Sequence, residues 1–228
     1  MCGSRVGVLL MLLFSAPLQT EGPRGARELI AHLSAPDPEV RTRAACGLRE
    51  IGDDAAPALD ALVALLSDGA PVEQSACGRR WSRWHADNRT SPGEQAAAAL
   101  VSIGTRAVQP LLRSLESSSW IARRNSAWAL GALDDRRGGA PLVKAMADPE
   151  PGVRQQAAWA LGALDEPAAV PSLVAALKDE SSGVRSQAAW ALGAIGDSRA
   201  LNALLPALKD PDPGVRRQAA WAIGVLSR

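Results

Sequence analysis

Apolar residues in the second half of the chain return in a fixed order. Gln156-Ala157-Ala158-Trp159-Ala160-Leu161-Gly162 recurs as Gln187-Ala188-Ala189-Trp190-Ala191-Leu192-Gly193 and as Gln218-Ala219-Ala220-Trp221-Ala222-Ile223-Gly224. A looser copy reads Ser126-Ala127-Trp128-Ala129-Leu130-Gly131, so the tryptophans fall at 128, 159, 190 and 221, each 31 residues after the last. A constant period in the range of roughly 20–50 residues marks stacked supersecondary units. At about 100° per residue, Val184, Ala188, Ala191, Leu192 and Ile195 share one helical face, whereas Trp190 lies well outside it. Each unit reads as two helices, predicted near 108–115 with 121–133, 140–147 with 153–164, 168–178 with 184–195, and 199–209 with 215–226. Earlier, weaker copies lie at 40–52 and 94–104.

The breaks between helices carry their own chemistry. Asp148-Pro149-Glu150-Pro151-Gly152 and Asp210-Pro211-Asp212-Pro213-Gly214 form the turn inside a unit; proline fixes φ and removes a donor there, and Gly and Asp accept turn geometry. Gly196-Asp197 and Leu164-Asp165 end second helices. Arg123, Arg154, Arg185 and Arg216 open the second helices, where the helix dipole does not favour a cation. The aspartates recurring in step, Asp148, Asp179 and Asp210, predict a ladder of charge-assisted Asp–Arg bonds. Trp190 is expected to lie over the small Ala and Gly of the next unit, its indole partly lining a groove.

The segment Asp179-Glu180-Ser181-Ser182-Gly183-Val184-Arg185, followed by Ala188-Ala189-Trp190 and Ala191-Leu192-Gly193-Ala194-Ile195-Gly196-Asp197, resembles HEAT-like repeats of the phycobilisome-lyase (PBS lyase) type. The resemblance covers residues 28–228, interrupted at 69–91. It implies an all-α fold: an α-solenoid of about six two-helix repeats in a right-handed superhelix, with one irregular insertion. The units are placed at 28–52, 55–104 (insertion 69–91), 105–134, 138–165, 168–197 and 198–228. Such repeats occur in scaffolds, chaperone-like factors, lyases and hydroxylases, so the resemblance implies no single activity.

Composition narrows the function. With 25 basic and 24 acidic residues and a net charge of +1, the chain has no overall electrostatic case for nucleic acid or an anionic membrane. Histidine occurs only as His32 and His85, and there is no phosphate loop, His-Glu-x-x-His or Gly-x-Ser-x-Gly element. The His-Glu pairs by which related hydroxylases hold iron are missing. No catalytic residue, metal or cofactor is therefore expected, and a non-catalytic scaffold binding a protein or peptide is favoured. A lyase- or hydroxylase-type protein handling a chromophore or protein substrate is the alternative. The binding residues expected are Trp128, Trp159, Trp190 and Trp221 with Gln156, Gln187 and Gln218 on the repeat face, and Arg80, Trp81, Arg83, Trp84 and His85 in the insertion.

The first twenty residues differ in kind. Arg5 precedes an apolar run over 6–14, too short for the ~20 apolar residues of a membrane span and matching a secretory signal. Export to the periplasm or beyond is expected, or a cytoplasmic location if the start is misassigned. Cys46 and Cys77 are then free to pair. Because Cys46 occupies the slot of Trp159, buried free thiols are the favoured reading. The C-terminal helix is expected to offer a surface for self-association.

Overall fold

The computed structural model describes residues 22–77 and 89–227. Twelve α-helices run in chain order: α1 Gly22–His32, α2 Pro38–Ile51, α3 Leu59–Leu65, α4 Pro92–Ile103, α5 Val108–Ser114, α6 Trp120–Ala132, α7 Gly139–Ala145, α8 Pro151–Ala163, α9 Val170–Ala176, α10 Ser182–Ile195, α11 Leu201–Leu204 and α12 Pro213–Leu226. Odd and even helices pair into six units, in agreement with the expected number. The even, second helices pack on one another along the array, whereas each first helix packs chiefly on its own unit. The more tightly spaced layer of second helices therefore forms the inner side of an α-solenoid.

A leucine column along helices α2 to α11 builds the core. Leu48, Leu100, Leu130, Leu161 and Leu192 on second helices meet Leu62, Leu111, Leu142, Leu173 and Leu204 on first helices, all fully buried. Each is worth about 1.5–3 kcal/mol of transfer free energy relative to exposure. Neither helix of a unit can hide its leucine alone, which is why the units stack.

Local chemistry starts and stops the helices as the turns predict. Proline occupies the first turn of α2, α4, α8 and α12. Asp37, Ser91, Ser119 and Asp212 cap α2, α4, α6 and α12 by accepting from backbone N–H groups. After the second helices, the chain turns through left-handed φ at Gly196 (73°) and also at Asp134 (52°) and Asp165 (49°). Aspartate tolerates that conformation better than most side chains.

Three expectations are corrected. The insertion is not irregular at its base: β1 Val72–Glu73 pairs antiparallel with β2 Arg89–Thr90, in the register Val72 to Thr90. Two-residue strands leave no alternation to read in the sequence. Cys46 and Cys77 are disulfide-bonded, with Cα atoms 5.7 Å apart, a separation ordinary for such a bond; they are not free thiols. The indole stacking also runs in the opposite direction. Trp159, Trp190 and Trp221 lie over the glycine of the preceding unit, because a helical projection fixes the flank of a residue but not which neighbour faces it. No described helix is long and apolar enough to cross a membrane.

Candidate functional site

The tryptophan column is built by close approach between second helices. A Cβ placed on Gly131, Gly162 or Gly193 would lie 3.0, 2.8 or 2.6 Å from the indole edge of Trp159, Trp190 or Trp221. It would also lie 2.6, 2.8 or 2.8 Å from Cα of Ala160, Ala191 or Ala222, so only glycine fits. The indoles are not fully hidden by this packing. Trp128, Trp159 and Trp190 remain half-buried and Trp221 is 44% exposed. Trp128 and Trp159 stack with centroids 6.5 Å apart and planes 15° apart. Gln156, Gln187 and Gln218 are half-buried and make no side-chain hydrogen bond among the described residues. The inner face thus presents indole edges and amide groups in step.

An edge of the array is tied by charge. Arg123 donates through Nε and Nη2 to both carboxylate oxygens of Asp148, at 2.7 and 2.9 Å. Arg154–Asp179 repeats this at 2.7 and 2.9 Å, and Arg185–Asp210 at 2.8 and 2.9 Å. The third nitrogen of each guanidinium donates to the carbonyls closing its own unit's turn, as from Arg154 to Asp148 and Pro149. Burial pushes the Asp148 and Asp179 carboxyls up, but hydrogen bonds from arginine and from the turn's backbone outweigh it and hold both below the usual range. At Asp210 the Arg185 hydrogen bond is the main cause of the same depression. In these three rungs both carboxylate oxygens are taken up by the arginine of the preceding unit.

In the first two units the pattern changes. The tryptophan slot holds Cys46 in unit 1 and Ala98 in unit 2. Cys46 is spent in the bond to Cys77, which fastens the start of the insertion to α2. The far end is fastened by Gln95, in the glutamine column: its Nε2 donates to Thr90 Oγ1 at 3.0 Å and its Oε1 accepts from Arg49 at 2.8 Å. Burial lowers the pKa of Arg49. Where unit 2 has the methyl of Ala98 instead of an indole, a cavity of about 540 Å³ opens, lined by Arg49, Glu50, Cys77, Ala98, Val101 and Trp128 among others. The column of indoles therefore ends at Trp128 on a pocket with one charged rim and an apolar floor.

The structure brings Trp128, Trp159 and Trp190 onto one face with Gln156 and Gln187, and leaves Trp221 and Gln218 at the end of the array. Arg80, Trp81, Arg83, Trp84 and His85 lie outside the described residues, as does the N-terminal signal-like segment. Sequence reading missed Arg49, Gln95 and Ala98. The signal available was Gln95, which falls in the register of Gln187, with alanine three residues on where the other units have tryptophan.

Comparison with known proteins agrees with this architecture. HEAT repeats match residues 139–224, and the PBS lyase HEAT-like repeat matches residues 40–68 and 122–148. No curated protein sequence matches the chain. Among solved structures, the complex of CpcE and CpcF of phycocyanin lyase from Nostoc is similar at 24% identity, over 95% of this chain and 82% of that one, with a TM-score of 0.55. A designed armadillo repeat protein in complex with the peptide (KR)4 is 22% identical over 87% of this chain and 98% of its own, TM-score 0.53. Yeast importin-β, Kap95p, is 15% identical over 87% of this chain and 30% of its own, TM-score 0.63. At these identities the likeness concerns the fold. The repeat matches, the paired helices and the shared inner face together place the chain among the HEAT-like repeat proteins, of the PBS lyase repeat type.

Proposed function

We propose that this protein is a non-catalytic scaffold that binds a protein or peptide partner along the inner face of its second helices. The observation that carries the reading is the half-exposed indole column ending on the pocket beside Trp128. Partly desolvated aromatics in a concave setting are the usual anchors of an interface. Glutamines that make no side-chain hydrogen bond among the described residues supply hydrogen bonds to a backbone laid across them. An apolar side chain of the partner seats between Ala98 and Trp128, and the insertion, fastened at both ends beside that pocket, extends the contact surface. The fold supports both kinds of partner: the designed armadillo relative holds a peptide, and CpcE is in complex with CpcF. We further propose export, which the Cys46–Cys77 bond supports because such bonds persist in oxidising compartments.

Affinity capture by the full chain, quantified against variants, tests the reading. Ala98→Trp fills the pocket and is expected to cut recovery of the captured partner at least ten-fold, with Trp128→Ala acting in the same direction. The combined Trp81→Ala, Trp84→Ala, His85→Ala variant measures the share of the insertion. Equal recovery with all variants overturns the groove. A visible absorption band in the purified protein would instead favour a chromophore-handling lyase.

A further inference from the structure

We infer that the pocket beside Ala98 receives the C-terminal residue of a partner polypeptide, its free carboxylate held by Arg49 and its apolar side chain seated between Ala98 and Trp128. The inference rests on the groove reading above and adds to it the end at which the bound chain stops.

Two exchanges in the repeat pattern set this pocket apart from the later junctions. Those junctions lay an indole on a glycine: Trp159 on Gly131, Trp190 on Gly162 and Trp221 on Gly193. In unit 1 the glycine position, three residues after the tryptophan slot, holds Arg49, and in unit 2 the tryptophan slot holds Ala98. Bulk has passed from an apolar ring on one helix to a cation on its neighbour. Unit 2 carries Val101 in its own glycine position, so Trp128 has no glycine there to lie on. Arg49, Ala98, Val101 and Trp128 all line the cavity of about 540 Å³. Sites that enclose small ligands span ~300–1,000 Å³, which gives room for a terminal residue and its carboxylate.

The inner strip is also stopped at this place. In unit 1 the tryptophan slot is Cys46, and its bond to Cys77 ties the short 3₁₀ helix Gln74–Cys77 against α2. Cys77 forms part of the pocket wall. A chain laid along the indoles from α12 toward α4 therefore meets a covalently fixed stop one slot beyond Ala98. A chain end fits there better than a segment passing through.

Charge selects which end. Arg49 is half-buried in the wall, and its Nη1 donates to Oε1 of Gln95 at 2.8 Å. Gln95 is buried and bonded in turn to Thr90 at 3.0 Å, so the guanidinium is held in place. Burial lowers the pKa of Arg49, yet a guanidinium stays protonated at neutral pH, so an anion arriving beside it offsets the cost of desolvation. Glu50, the acid among the described residues of the same wall, is exposed, and water and salt screen its charge. An α-carboxylate thus meets the less solvated of the two charges. Capture of a terminal carboxylate by a fixed donor group is a general mode of peptide recognition.

The probe is a library of short N-acetylated peptides randomised in their last few positions, prepared once with free C-terminal carboxylates and once as carboxamides. Equilibrium selection on the immobilised full chain is expected to enrich free acids that end in an apolar residue. In fluorescence anisotropy, the carboxamide of an enriched sequence is expected to bind at least ten-fold more weakly than the acid. Arg49→Gln should remove this preference, so that acid and carboxamide bind alike, and Ala98→Trp should weaken both. The comparison of acid with carboxamide on the parent chain needs no variant, so it stands whatever Arg49→Gln does to folding. Carboxamides retained as well as acids, or internal acidic residues enriched in place of the terminus, overturn the inference and leave the groove reading intact. Retention of neither library overturns the inference too, the groove reading being decided separately by capture with Ala98→Trp.

Discussion

From α6 onward every junction is closed by the same two devices, an indole lying on a glycine of the preceding unit and an arginine gripping the aspartate of the following one. The N-terminal end keeps them only in part. The first junction retains its rung, Arg41 to Asp68 at 2.7 Å, but replaces the indole by Cys46 and its bond to Cys77. Between units 2 and 3 the rung is missing on both sides: Gly93 stands in the arginine slot and Ser117 in the aspartate slot. Arg124 bonds Glu94 at 2.8 Å instead, and Asn125 donates to the carbonyl of Leu66 at 2.9 Å. A junction gives up a rung as a pair, since a largely buried aspartate left without its arginine would be an uncompensated charge. The lesson is that repetition here records stacking, and departures from it mark where the chain was freed to do something else.

The sharpest way to break the regular half is to remove one side of a rung. Arg154→Ala leaves the half-buried Asp179 carboxylate with the Ser181 N–H but without its arginine, and is expected to cost about 1.5–3 kcal/mol in urea denaturation at neutral pH. The rung also sets the acid response. Because the folded carboxyl of Asp179 titrates below its unfolded value near ~3.9, its contribution is complete above that value and is lost as pH falls through the lower, folded one. Asp179→Asn should therefore start less stable yet lose less stability between pH 5 and pH 3 than the parent. An equal loss in the two proteins would show that the rung does not govern acid unfolding.

On the irregular side, Cys77→Ser opens a crosslink spanning 31 residues. Chain entropy puts its contribution at about 3–4 kcal/mol. Hydrogen exchange should show the loss concentrated in α2, α4 and the base of the insertion, with α8 to α12 unchanged. The smallest contrast uses one residue type at two places. Gly162→Ala forces a methyl to 2.8 Å from Cα of Ala191, so the neighbouring backbone must move, at about 1–3 kcal/mol. Gly224→Ala meets nothing and should gain up to about 1 kcal/mol from reduced backbone freedom in the unfolded chain. Comparing the two melting temperatures checks the sign of each.

Much of this was legible in the sequence, for physical reasons that also explain what was not. The 31-residue period fixed the helix pairs, the leucine core and the Asp–Arg ladder, because each is a contact repeated at constant separation. Which neighbour an indole meets was not legible, since helical position and stacking direction are independent. The base of the insertion escaped because its elements occur once. Cys46 reads as a small residue in a tryptophan slot until Cys77 is seen beside it. Gln95 matches its column yet serves Thr90 and Arg49. Of the expected site residues, Trp128 is the one that borders the pocket beside Ala98, which the repeat pattern alone does not show.

The Asp–Arg ladder also has a mechanical consequence. The rim it occupies is joined unit to unit from Arg123 to Asp210. On the opposite rim the pairs Arg137–Asp135 and Arg199–Asp197 close within a single turn. One selvedge is thus a tie of nearly fixed length and the other is a row of separate knots. A strip built in this way bends by fanning its loose margin, so the spacing of the second helices can change there without breaking a rung.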